Sequence, residues 1–139
     1  MMLDRLVKIG FLTVAIVLFI GCSGAKKEKP VVQTPEQQLV TAMNDVVDLV
    51  ERGEYKAMFE KYTPPPDLER LKTNKSLDSA IEQFKIFRKD FVRAMKEAQA
   101  IQPTFNEDTT RAVYELTEVE VPGHKVVFAK IGDNWYFSD

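Results

Sequence analysis

The chain holds one cysteine, Cys22, and one histidine, His124. Nucleophilic catalysis of the Ser–His–Asp or Cys–His kind needs a histidine held against its partners. His124 follows Pro122-Gly123, a turn signal. A solvated ring is the ordinary reading there, and an acid or base at a pocket mouth is the functional one. Carboxylates are paired at Asp45/Asp48 and Glu115/Glu118, but neither pair has the alternating oxygen ligands of a calcium loop. No glycine-rich loop is present to cradle a phosphate. The expectation is a protein that is not an enzyme, with no catalytic set, no metal site and no cofactor.

Three side chains remain as candidates for binding. Arg88 falls on the apolar stripe of the longest expected helix, between Phe84 and Phe91. At the floor of a pocket its guanidinium would suit a carboxylate. The plainer reading lays its stem along the apolar edge with the charge in water. Tyr55 and Tyr114 are the tyrosines that could face the interior with it. Lys85, Lys89, Arg93 and Lys96 make a basic row on the helix flank. Such a row faces either anionic lipid or, more ordinarily, solvent.

The strongest pattern lies near the start. Met1 to Lys8 carries Arg5 and Lys8 against Asp4, Ile9 to Ile20 is apolar, and Gly21 is small, which is the build of an export signal. Taken as a helix, Ile9 to Cys22 spans roughly 21 Å, short of the ~30 Å hydrocarbon layer, so a cleaved signal is expected over residues 1–21. The ending Phe19-Ile20-Gly21-Cys22 resembles the bacterial lipobox, departing from it at Phe19. That resemblance implies that Cys22 is acylated and becomes the mature N-terminus, which spends the one thiol on lipid. Acyl chains contribute on the order of 0.8 kcal/mol per buried CH₂, enough in number to hold a protein on a membrane. Residues 22–34 then read as a flexible tether, since Ser23 to Thr34 has no core-forming pattern. Twelve such residues reach typically about 17–21 Å. Ser23 after Cys22, by resemblance to enteric lipoproteins, points to the periplasmic face of the outer membrane rather than the inner membrane.

Losing residues 1–21 removes Arg5, Lys8 and Asp4 from 19 Lys+Arg and 21 Asp+Glu, leaving 17 against 20 and a net charge of −3. A slightly acidic chain is a poor match to nucleic acid, which asks for a basic footprint. With no second cysteine there is no disulfide, so stability must come from the core.

That core is expected from helices first and strands afterwards, as one α+β domain over residues 35–139. Thr34, Pro35 and Gln37 spell a capping box, and Leu39, Met43, Val46, Val47 and Val50 follow at helical spacing, with Asp45, Asp48 and Glu51 pointing away. Glu54 to Tyr62 reads as a second, short helix stopped by Pro64-Pro65-Pro66. Ser76 opens the longest helix, to about Ile101, with Phe84, Phe87, Phe91 and Met95 on its core stripe. Strands are expected at Arg111 to Val119, Lys125 to Ile131 and Trp135 to Phe137, with turns at Pro122-Gly123 and Gly132-Asp133-Asn134. Both faces of this meander carry apolar side chains, so one face is left to a partner; Val113, Val126, Phe128 and Tyr136 make one such set.

Helices followed by a meander ending VVFAKIGDNWYFSD resemble the cone-shaped, nuclear-transport-factor-2-like (cystatin-like) fold found in ketosteroid isomerase and many small bacterial lipoproteins. The resemblance implies a curved antiparallel sheet wrapped on the long helix, pairing through the outer sheet face, and in some members a pocket. No isomerase residue maps onto this chain. The expected function is a lipid-anchored envelope module that binds a second copy or another envelope protein. The alternative is an apolar small acid in the cone with Arg88 as counter-ion.

Overall fold

A computed structural model describes residues 30–139. Pro30 to Val32 are exposed and without regular structure. Gln33 to Asp139 form one unit, an α+β arrangement of four helices followed by a four-stranded antiparallel sheet. The signal segment, Cys22 and most of the tether lie outside the described residues.

Helix α1 (Pro35–Glu51) starts as its sequence demands. The Gln37 N–H donates to Thr34 Oγ1 at 3.3 Å, and the Thr34 N–H donates to Gln37 Oε1 at 3.0 Å. It ends in a Schellman motif: Gly53 takes φ +75°, its N–H bonds Val50 O at 3.1 Å, and the Glu54 N–H bonds Leu49 O at 2.8 Å. Helix α2 (Tyr55–Tyr62) stops before the prolines as expected. The same prolines then start α3 (Pro65–Thr73), because Pro65 and Pro66 fill first-turn positions whose N–H groups need no partner. Helix α4 (Leu77–Gln99) follows, with Ser76 Oγ bonded back to Leu71 O at 3.3 Å instead of capping α4.

The strands are β1 (Thr104–Phe105), β2 (Arg111–Glu115), β3 (Lys125–Ile131) and β4 (Asn134–Ser138), paired in sequence order as a meander. Strand β2 stops four residues short of the expected Val119. The amides that would continue it, those of Thr117, Glu118 and Val119, are taken by the Glu97 carboxylate on α4 at 2.5, 3.1 and 3.0 Å. The register pairs Ala112 with Phe128 and Tyr114 with Val126. Val126 and Phe128 therefore face inward with Tyr114, and Val113 and Tyr136 lie on the opposite face with Val127. That corrects the expected grouping of Val126 and Phe128 with Val113.

Leu39, Met43, Val46, Met95, Tyr114 and Phe128 are fully buried between the helices and the inner sheet face. A line of rings runs through this core: Tyr55 to Phe84 at 5.8 Å, Phe84 to Phe91 at 5.0 Å, Phe91 to Phe137 at 5.4 Å and Phe137 to Phe128 at 5.0 Å. Aromatic pairs at these separations contribute about 0.5–1.5 kcal/mol each beyond their burial. Phe87 is not part of the sealed core. It contacts Phe84 at 5.4 Å yet stays 50% exposed at the edge of the core, beside an open hollow shared with Phe91, Val121 and Pro122.

Candidate functional site

Gly53 turns the chain sharply between α1 and α2, and the long α4 passes beside that turn. Between them lies a surface groove of about 520 Å³. Tyr55, the first residue of α2, and Arg88, mid-way along α4, both line it. So do Arg52, Lys89 and Arg93, with Glu51 as the one carboxylate. Helical spacing accounts for the convergence, since Arg88, Lys89 and Val92 fall on the flank of α4 that meets the end of α1.

The charges in this groove are partly spoken for. Arg52 bridges Asp48 at 3.3 Å and Glu54 at 3.5 Å, Arg93 reaches Asp90 at 3.5 Å, and Glu51 holds Lys96 at 3.0 Å. The half-buried Arg88 guanidinium donates to the Lys85 carbonyl one turn back on its own helix. Among the described residues Lys89 has no carboxylate within 4.0 Å. The Tyr55 ring is half-buried against Phe84, with Lys85 Nζ 5.9 Å from its centroid. An excess of cations beside one phenol can hold an anion, and the Val50 and Val92 side chains give it an apolar wall.

Tyr114 is not in that groove. It is 1% exposed on the inner sheet face, 6.3 Å from the Phe128 ring. Burial, with the Glu36 charge added, pushes its hydroxyl up to about 12. The structure thus brings Tyr55 and Arg88 together and sets Tyr114 apart inside the packed helix–sheet interface. His124 is exposed and takes φ +49° next to Gly123 at +75°. Among the described residues no three His, Cys, Asp or Glu side chains come together as a metal site.

Two polar clusters carry no obvious sequence signal. Asp45 does not point away from the fold: its Oδ2 accepts from Tyr62 Oη at 2.6 Å and from Lys61 Nζ at 2.8 Å, tying α1 to α2. Partial burial pushes the Asp45 carboxyl up, but the hydrogen bonds from Lys61 and Tyr62 outweigh it and hold it below the ordinary 3.8. Burial, then the Asp45 bond and charge, push the Tyr62 hydroxyl well above its usual range. Lys61 and Tyr62 line a second groove, of about 370 Å³, closed at one side by Gln38 and Trp135, whose Nε1–H donates to Gln38 Oε1 at 3.2 Å. The other cluster is Glu97 on its nest of amides. The backbone N–H of Thr117 foremost, joined by those of Glu118 and Val119, holds its carboxyl below the ordinary 4.5 against the desolvation that would raise it. Side-chain partners far apart in sequence leave no local spacing from which either cluster could be read.

No protein-family model, curated protein or solved structure matches this chain. Among the described residues no helix is long and apolar enough to cross a membrane.

Proposed function

We propose that the chain is a lipid-anchored protein of a bacterial cell envelope, held through an acylated Cys22 on the periplasmic face of the outer membrane. Its α+β unit is a nuclear-transport-factor-2-like binding module that engages a second copy or another envelope protein through the outer face of its sheet. One observation carries the interaction reading. Val113, Val127, Ala129, Ile131 and Tyr136 share the sheet face opposite to the one that enters the core. Ile131 at its margin is 45% exposed. An apolar face on an antiparallel sheet is ordinarily covered. Sedimentation of the chain in detergent, alone and with envelope extract, tests it. Self-association or a specific partner, weakened by Ile131→Lys with Tyr136→Lys, is expected. A monomer that captures nothing, unchanged by those substitutions, refutes it.

A second reading is favoured by the groove that Tyr55 and Arg88 share. There an apolar small acid would lie against Val50 and Val92, with Arg88 as counter-ion and Tyr55 as hydrogen-bond donor. Titration with aliphatic and aromatic carboxylates is expected to shift the tyrosine spectrum, and Arg88→Gln to remove the shift.

A further inference from the structure

Helix α4 sorts its charges by side. Lys85 and Lys89 stand two residues either side of Phe87, about 160° round the helix from it at 3.6 residues per turn. Asp90 stands only about 60° from Phe87, and Phe91 about 40°. On that side the β2–β3 loop lies against the helix and is moored to it. The Glu97 carboxylate takes the Thr117, Glu118 and Val119 amides, and the His124 N–H closes a turn on Val121 O at 2.9 Å. Glu120, Val121 and Pro122 are thereby set beside Phe87, Asp90 and Phe91, and a hollow of about 330 Å³ opens among them. Phe87 stays 50% exposed there, while Phe91 and Val121 are half-buried.

The walls of the hollow are apolar, from Phe87, Phe91, Val121 and Pro122, and its polar side chains are the carboxylates of Asp90 and Glu120. Among the described residues no cation lines it. Glu120 pairs with no cation among those residues. Arg93 reaches one Asp90 oxygen at 3.5 Å, which leaves Oδ2 without a partner among them. An apolar concavity of this size with a few convergent polar groups is the ordinary form of a small-molecule site. Two carboxylates beside two ring faces attract a cation in two ways, by their charge and through the negative faces of the rings. An acid would meet the same field as repulsion, and a neutral apolar body would leave the carboxylates unused. We infer that the hollow between α4 and the β2–β3 loop binds a small amphipathic organic cation. Its aryl or alkyl body lies among Phe87, Phe91 and Val121, and its ammonium group is held by Asp90 and Glu120. This site is separate from the groove of Tyr55 and Arg88, and it needs neither the acylation of Cys22 nor the outer sheet face.

The test follows the Val121 methyl and Phe87 ring resonances of the full chain, held in phosphatidylcholine nanodiscs, as phenethylamine is added. Saturable shifts at both residues are expected. 2-Phenylethanol has the same aryl body without the charge and should bind more weakly; 3-phenylpropionate, with the opposite charge, should bind more weakly still. Glu120→Gln with Asp90→Asn should weaken phenethylamine on the order of tenfold, each exposed charge being worth up to about fivefold. The alcohol should be indifferent to the same change. Added salt should weaken the amine alone, and because this is read on the parent it decides the matter even if the double variant does not fold. An unsaturable response at Val121, an alcohol that binds as well as the amine, or amine binding that neither salt nor the double substitution weakens overturns the inference. The acid of the other groove is read at Tyr55 and the amine at Val121, so either site can fail alone.

Discussion

Replacing Tyr62 by Phe removes one oxygen and leaves the ring in place, 6.0 Å from Phe137. What is lost is the 2.6 Å bond to Asp45 Oδ2. A hydrogen bond to a charged group contributes about 1.5–3 kcal/mol when well shielded. The Asp45 side chain keeps 34% of its surface in water, so solvent screening brings the expectation down to about 1 kcal/mol. Lys61 shares the same oxygen but is 61% exposed, and its coupling should be only about 0.2–1 kcal/mol. Denaturant titrations of the single and double variants with Asp45→Asn give the two couplings directly. For a unit of this size about 1 kcal/mol moves the thermal midpoint by roughly 4–8 °C. The pH dependence has a definite sign. The folded Asp45 carboxyl lies below its ordinary 3.8, so its contribution is present above that value and fades as pH falls through the folded pKa. The folded Tyr62 hydroxyl lies above its ordinary 10.0, so its contribution is present below that value and fades as pH rises towards the folded pKa. The Tyr62→Phe cost should therefore be full at neutral pH and shrink in acid. A cost that is the same in strong acid, or a coupling to Asp45 no larger than that of Lys61, refutes the assignment.

Two further substitutions probe other joints of the fold. Phe128→Ala empties a 0%-exposed site that touches the Phe137 and Tyr114 rings, and should cost about 3–5 kcal/mol in denaturant unfolding; under 1 kcal/mol would mean the core is not packed as described. Glu97→Gln should speed hydrogen exchange at the Thr117, Glu118 and Val119 amides, and in the parent the same amides should lose protection as pH falls below the ordinary glutamate value of 4.5. Equal exchange in both proteins at neutral pH would show that the carboxylate does not hold the loop.

The helices were legible because their signals are local. The Thr34 capping box, the spacing of Leu39, Met43 and Val46, and the stop at Pro64-Pro65-Pro66 all act within a few residues. The order β2-β3-β4 was equally plain from its turns, but β1 at Thr104–Phe105 was not expected, and the register was not legible. Shifting the pairing of β2 with β3 by one residue swaps the buried and exposed sets, and both sets are apolar here. The Pro64-Pro65-Pro66 run reads as a stop, yet it also starts α3, because proline both ends one helix and opens the next. Phe87 shows the limit of periodicity: it has the right spacing for the core, yet it ends at the core's edge, 50% exposed beside an open hollow. For the candidate groove, Tyr55 and Arg88 were found from residue type and position. Their separation from Tyr114 depends on how α4 crosses the end of α1, a tertiary fact with no local trace.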